Sequence, residues 1–286
     1  MGKTIQLAYL PKRIGGRLQH VAVFRTSCGE KANAKWTIDE TVQSGEESSD
    51  EFAHVGKAQL SGKPVIVKFM LDGFVAQHER KLFHWWKDHP HVNIVQGLCE
   101  YSCKDDQLKW GSKVKKPTEF CNPSGKEDFV VLVQEFIKVG NLNGVQHWTL
   151  RLWKSVTLQL LFACMEWYES YGFLYNDWHF GNVLLDDSNG DTKHVYKAFN
   201  KKWVVDDLAG VRPVLTDFAR CELRKHDQLE PWHLATQIAY VLNMMMRSCP
   251  DPALMAVVKT ASIKIGDFET HEDVIKAVAK FIKFKN

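Results

Sequence analysis

Apolar and polar positions follow one rhythm in the first half of this chain and another in the second. The early part carries short, β-rich runs. Gln19–Phe24 and Lys35–Ile38 are predicted strands. Phe52–Leu60 alternates, the turn signal Ser61-Gly62-Lys63-Pro64 follows, and Val65–Met70 completes a predicted hairpin. Gln77–Trp86 has helical spacing, with Leu82, Trp85 and Trp86 grouped around Glu79, and His89-Pro90 ends it. Ile94-Val95 and Val130–Val133 are two more short strands, separated by a lysine-rich loop from Lys109 to Lys126. Gly140-Asn141-Leu142 opens the second regime. Leu152, Val156, Leu160, Ala163 and Trp167 recur at helical spacing over 150–168. Residues 234–246 and 274–281 are further helices, the last behind a Thr270–Asp273 capping signal. Strands first and helices afterwards predict an α+β protein in two parts, 1–135 and 136–286.

Composition narrows the class without naming a function. With 45% hydrophobic and 25% charged residues the chain is ordinary globular material, and a net charge of +3 gives no reason to expect nucleic acid as a partner. The seven cysteines (28, 99, 103, 121, 164, 221 and 249) form no paired C-x-x-C units. Cys99, Cys103 and Cys121 are conceivable metal ligands, but scattered reduced thiols are the expectation, which favours a reducing, cytoplasmic compartment. No apolar run reaches the length of a membrane span, and the start has no signal-peptide core. Position six is Gln6, where a myristoylation signal wants Ser or Thr. A soluble intracellular monomer is the expectation.

Candidate chemistry concentrates in the run Tyr175-Asn176-Asp177-Trp178-His179-Phe180-Gly181-Asn182-Val183-Leu184-Leu185 and in Leu215-Thr216-Asp217-Phe218-Ala219. Asp177 and Asn182 stand in the spacing D-x-x-x-x-N, an apolar run follows, and an Asp-Phe pair comes after it. A phosphotransferase arranges its groups in this order: one carboxylate receives the acceptor's proton, while an amide and a second carboxylate hold metal. Magnesium prefers oxygen ligands, which Asn182 and Asp217 supply. Lys68, far upstream, adds a cation for phosphate charge. Each residue alone has an ordinary reading: Lys68 as a surface lysine, Glu79 as a solvated helix charge, Asp177 in a turn, Asn182 as a cap, Asp217 at a strand end. Their joint order carries the signal.

In that order the residues resemble the eukaryotic-type protein kinase family, over about Phe52 to Tyr240. The resemblance implies a bilobal fold, with a β-rich N-lobe and an N-terminal extension over 1–135 and a helical C-lobe over 136–286. Val65-Ile66-Val67-Lys68 resembles the third N-lobe strand, which puts Lys68 on the phosphates of ATP and pairs it with a helix C glutamate, Glu79. Leu132–Ile137 is similar to the hinge, with Gln134 as gatekeeper and the backbone of Glu135 and Ile137 meeting adenine. Asp177 matches the catalytic aspartate, and Asn182 and Asp217 match the magnesium ligands. His179 stands where protein kinases carry a lysine, and either aids the transferred phosphate or braces the loop. The implied activity is phosphoryl transfer from ATP, with Mg2+, to a Ser/Thr hydroxyl of a protein substrate.

Four departures mark an atypical member. The acidic Ser44–Glu51 stands where the resemblance expects a glycine-rich loop, and Gly15-Gly16 is too far upstream to replace it. Ile66 replaces a small alanine over adenine. Asn176 replaces the arginine before Asp177, and Ala219 the glycine after Phe218. Ala219–Leu229 then leads almost directly to Glu230 and the next helix, so activation-loop switching is not expected. Compact kinases of large DNA viruses and bacterial effectors are similar in this respect, and for such a protein the host cell is the expected location. Aminoglycoside and choline kinases often carry H-x-D-x-H, which Tyr175-Asn176-Asp177-Trp178-His179 matches in part. A small-molecule kinase and a pseudokinase acting as a binding module remain the alternatives. The insertion Asp187–Arg212, with Lys193, Lys197, Lys201 and Lys202, either extends a hairpin or contacts substrate. Lys276, Lys280, Lys283 and Lys285 are expected to form a solvated face and not a membrane-binding one.

Overall fold

The computed structural model describes residues 12–14, 17–25, 31–36, 43–44, 53–60, 63–71, 73–103, 129–188, 190–206, 209–265, 268 and 270–282. The acidic stretch 45–51 and the lysine-rich loop 109–126 lie outside the described residues. The protein is α+β, and its chain divides into two compact units, Met1–His91 with Val95–Phe136, and Val92–Ile94 with Ile137–Asn286.

The described residues of the first unit form one antiparallel sheet and a helix. Its strands are β1 (Lys12–Ile14), β2 (Arg17–Arg25), β3 (Lys31–Trp36), β4 (Gln43–Ser44), β5 (Ala53–Leu60), β6 (Lys63–Leu71), β7 (Gly97–Cys103) and β8 (Phe129–Glu135). They run in the order β1-β2-β3-β5-β6-β8-β7, with β4 on β5. The register Leu60↔Lys63 pairs β5 with β6 as the predicted hairpin, but β6 begins at Lys63, so Lys63 and Pro64 belong to the strand and not to the turn the sequence suggested. Lys68↔Leu132 and Met70↔Val130 pair across β6 and β8, so these four side chains share a face. Helix α1 (Phe74–Asp88) covers that face, burying Ala76 and Phe83 with Met70, Val130 and Leu132. Its buried line, Ala76, Glu79, Leu82, Phe83 and Trp86, keeps the three-and-four spacing of a core-facing stripe. Where β7 meets α1, a Cβ on Gly97 would come within 2.7 Å of the Phe83 ring, so only glycine leaves that ring in place.

The second unit contains β9 (Gly140–Asn141), α2 (Leu150–Tyr171), β10 (Phe173–Leu174), β11 (Val183–Asp187), β12 (Lys193–Ala198), β13 (Lys201–Asp206), β14 (Val211–Leu215), β15 (Glu222–Leu223), α3 (Pro231–Met246), α4 (Pro252–Ile265) and α5 (His271–Ile282). Thr149 starts α2 by accepting the Leu152 N–H at 3.1 Å. Gly172 ends it with φ +64°, and a Cβ there would lie 2.0 Å from the Arg224 carbonyl oxygen. Trp153, Val156, Leu160 and Trp167 of α2 form the core, and Trp153 Nε1 donates to the Met245 carbonyl of α3 at 2.7 Å.

Several elements differ from the sequence expectation. Ile94-Val95 is no strand: Ile94 makes a single parallel bridge to Leu215, and the strand begins at Gly97. Both residues are buried, so they imitate a strand's apolar run without its ladder. The 187–212 insertion does extend a hairpin, β12–β13, around Phe199 and Asn200, whose φ values of 54° and 56° suit a primed two-residue turn. It packs on α2, with Trp203 5.1 Å from Phe162 between ring centres. The sequence reading missed α4 altogether. Pro231 at the first position and a Glu230–His233 capping box start α3 three residues before the predicted Leu234. Lys276 pairs with Glu272 on the exposed side of α5, and the side chains of Lys280, Lys283 and Lys285 lie outside the described residues. Among the described residues no helix is long and apolar enough to cross a membrane.

Candidate active site

In the first unit the chain builds a buried ion pair. Lys68 projects from β6 toward α1, and its Nζ lies 2.8 and 2.7 Å from the two carboxylate oxygens of Glu79. The lysine is 5% exposed and the glutamate fully buried. Removing one partner of such a pair costs about 3–5 kcal/mol, whereas an apolar pair of equal volume is often as stable. Stability alone therefore gives little reason to keep it, and a use for the ammonium group gives one. Gln134, opposite Ile66 in the ladder, is buried on the same face. Glu135 is occupied with Gln96: its N–H donates to the Gln96 carbonyl at 3.0 Å and its carboxylate accepts the Gln96 N–H at 2.8 Å. Ile137 is the first residue of the long segment of the second unit and is buried.

In the second unit a β ladder brings the distant motif residues together. Val183 of β11 pairs with Leu215 of β14, so Asn182 and Thr216 meet at one end, where the Thr216 N–H donates to the Asn182 carbonyl at 3.1 Å. Asp217 comes next, with φ +62°, a conformation uncommon for a residue other than glycine. Asn182 in turn donates its Nδ2 to Asp177 Oδ2 at 2.9 Å. That bond turns the amide nitrogen toward Asp177 and leaves Oδ1 as the atom of Asn182 that could hold a metal. An amide oxygen next to an aspartate suits magnesium, which takes oxygen donors. Among the described residues no three His, Cys, Asp or Glu side chains gather as a metal cluster.

The loop carrying Asp177 is braced from below. Tyr175 is fully buried, and its hydroxyl donates to the Thr216 carbonyl at 2.6 Å. Burial, then the charges of Cys221, Asp217 and Asp177, push this phenol well above its ordinary pKa, so it stays a neutral donor. Gln237 of α3 accepts the Tyr175 N–H at 3.0 Å and the Trp178 indole N–H at 3.1 Å, and donates to Asn176 at 3.1 Å. Asn176, at the position where the resemblance expects arginine, donates onward to Glu222. Asn93 holds β14 in place: its side chain donates to the Pro213 carbonyl at 2.7 Å, and its carbonyl accepts the Leu215 N–H at 2.8 Å.

His179 braces the loop. Its Nδ1 accepts the Gly181 N–H at 3.1 Å, which leaves Nε2 to face Asp177 Oδ2 at 3.7 Å. The sequence reading did not single out Gln237, Asn93 or Arg220, whose Nη1 stands 3.9 Å from Asp177 Oδ1. Each meets its partner across a long stretch of chain. No protein-family model matches the chain, and no curated protein matches it.

Proposed function

We propose that the protein is a phosphotransferase of kinase-like bilobal type, its first unit the N-lobe and its second the C-lobe, moving the γ-phosphoryl group of ATP to a protein hydroxyl. The observation that carries this reading is the junction of Asp177, Asn182 and the left-handed Asp217 at one end of the β11–β14 ladder. Backbone strain of that kind persists where surroundings fix it, and it clusters at working sites. Asp177 would accept the proton of the attacking hydroxyl, oriented by the Asn182 amide. Lys68, held by Glu79, would contact the phosphates, and Asn182 and Asp217 would hold magnesium. The ion would neutralise charge on the phosphates. Gln134 and the backbone of Glu135 and Ile137 would meet the adenine.

A second reading, transfer to a small-molecule hydroxyl, is favoured by one feature. The stretch from Phe218 to Glu230 holds only β15 and a short 3-10 turn, and is tied down by the Arg224 N–H to the Gly172 carbonyl at 2.9 Å. That leaves little chain for a peptide platform. Calorimetric titration tests the common ground of both readings. Wild type should bind ATP more tightly with magnesium, Asp217→Asn should lose that magnesium dependence, and Lys68→Met should weaken binding at least about tenfold. Wild type that binds no ATP under either condition refutes the proposal.

A further inference from the structure

We propose that the outward face of the β12–β13 hairpin docks an extended acidic segment of a partner protein, one that carries an aliphatic side chain beside its carboxylates. Residues directly opposite in a ladder share a face, and the register sorts this hairpin into two faces. The inward pairs are His194 with Val205 and Tyr196 with Trp203, and the rings of Tyr196 and Trp203 lie 6.0 and 5.1 Å from Phe162 of α2. The Trp203 indole N–H donates to the Ala198 carbonyl at 3.1 Å, and the Phe199 N–H donates to the Glu169 carboxylate of α2 at 2.5 Å. The turn and the strands are thus fastened to α2, which presents the other face to solvent. That face carries Lys193 opposite Asp206, Val195 opposite Val204, and Lys197 opposite Lys202, with Lys201 exposed at the turn. At its centre the two valines are 46% and 47% exposed. Like charges directly opposite each other, as at Lys197 and Lys202, cost a ladder stability. None of the four lysines has an ion-pair partner among the described residues. Lysines that only guard a sheet edge against other strands have no use for an apolar pair beside them.

Charge and spacing select the occupant. Along one strand, side chains two residues apart stand about 7 Å from each other. An extended segment has the same period, so an aliphatic side chain resting on the valine pair brings the side chain two residues along over Lys197 and Lys202. The ammonium groups of Lys197, Lys201 and Lys202 at that end call for carboxylates, whereas Asp206 balances Lys193 at the other. Nucleic acid fits poorly. Single-strand sites stack bases on exposed aromatic rings, and here Tyr196 and Trp203 face Phe162 while Phe199 meets Tyr168. An anionic membrane fits no better, because two half-exposed valines offer little apolar area to insert.

Fluorescence anisotropy with the full chain and a labelled peptide EEESLSEEE tests this, beside the peptide EEESSSEEE, a thymidine oligonucleotide and phosphatidylserine vesicles. Wild type should bind EEESLSEEE at about 50 mM salt and lose at least about fivefold in affinity at about 300 mM. Lys197→Glu combined with Lys202→Glu should weaken binding at least about tenfold with the urea midpoint kept. The milder Lys197→Gln with Lys202→Gln should show a smaller loss in the same direction. Val204→Thr, and in the probe the change to EEESSSEEE, should each weaken binding about threefold or more. Wild type that does not bind EEESLSEEE, or a folded double variant that binds it equally well, overturns the proposal. So does oligonucleotide or vesicle binding that is tighter than peptide binding and is lost in the double variant. None of these outcomes bears on phosphotransfer, which is read separately from ATP binding.

Discussion

At residue 217 the backbone takes a torsion, φ +62°, that costs an ordinary L-residue about 1–2 kcal/mol. Aspartate tolerates it better than most residues, yet glycine would tolerate it best. Asp217→Gly should therefore raise stability by up to about 1 kcal/mol in urea unfolding while abolishing phosphoryl transfer. A stability loss with activity intact would show that the carboxylate serves the fold and not the chemistry. Lys68 and Glu79 follow the same logic in the first unit, where a buried charge pair occupies a place that apolar side chains would fill as well.

At the scale of elements, α5 is fastened to α2 by a titratable contact. The Tyr168 hydroxyl donates to the Glu230 carbonyl at 3.0 Å and meets His271 Nε2 at 2.6 Å. Burial lowers the His271 pKa from 6.5, partly offset by the Glu230 and Glu169 carboxylates. The unfolded chain then takes up a proton at this histidine before the folded one does, so stability falls as pH drops through 6.5 toward the lowered folded value. His271→Gln should flatten the fall in unfolding free energy between about pH 8 and about pH 5, and identical slopes in mutant and wild type would contradict this. The residues that made this contact were not legible in the sequence, although α5 itself was, from its Thr270 cap and its buried Val274, Ile275 and Val278. The strand-forming run at Val65 and the long helix α2 were legible for the same reason: strong local periodicity. Helix α4 was not, because its buried stripe is thin, Leu254, Val258 and Ser262. Its start was readable in principle: Asp251 accepts the N–H groups of Ala253 and Leu254, and Pro252 sits at the first helical position. Asp177, Asn182 and Asp217 were legible because their spacing is set by one loop and one ladder, whereas the bonds of Gln237 to Tyr175, Trp178 and Asn176 come from tertiary placement.

Across the whole molecule, each of the two units holds its own set of candidate residues: Lys68 with Glu79 in the first, and Asp177, Asn182, Asp217 and His179 in the second. Neither set has an economical structural explanation by itself, since one is a desolvated charge pair and the other includes a strained aspartate. The proposed phosphotransfer would give both a use, phosphate recognition for the first and proton and metal handling for the second. The most direct measurement is transfer of label from γ-labelled ATP, with magnesium, to dephosphorylated casein and to a panel of small-molecule alcohols, by wild type and by Asp177→Asn at equal concentration. The account predicts magnesium-dependent labelling by wild type, and a fall of at least about 100-fold in the variant. Equal labelling by the two proteins, or none by a folded wild type, would contradict it.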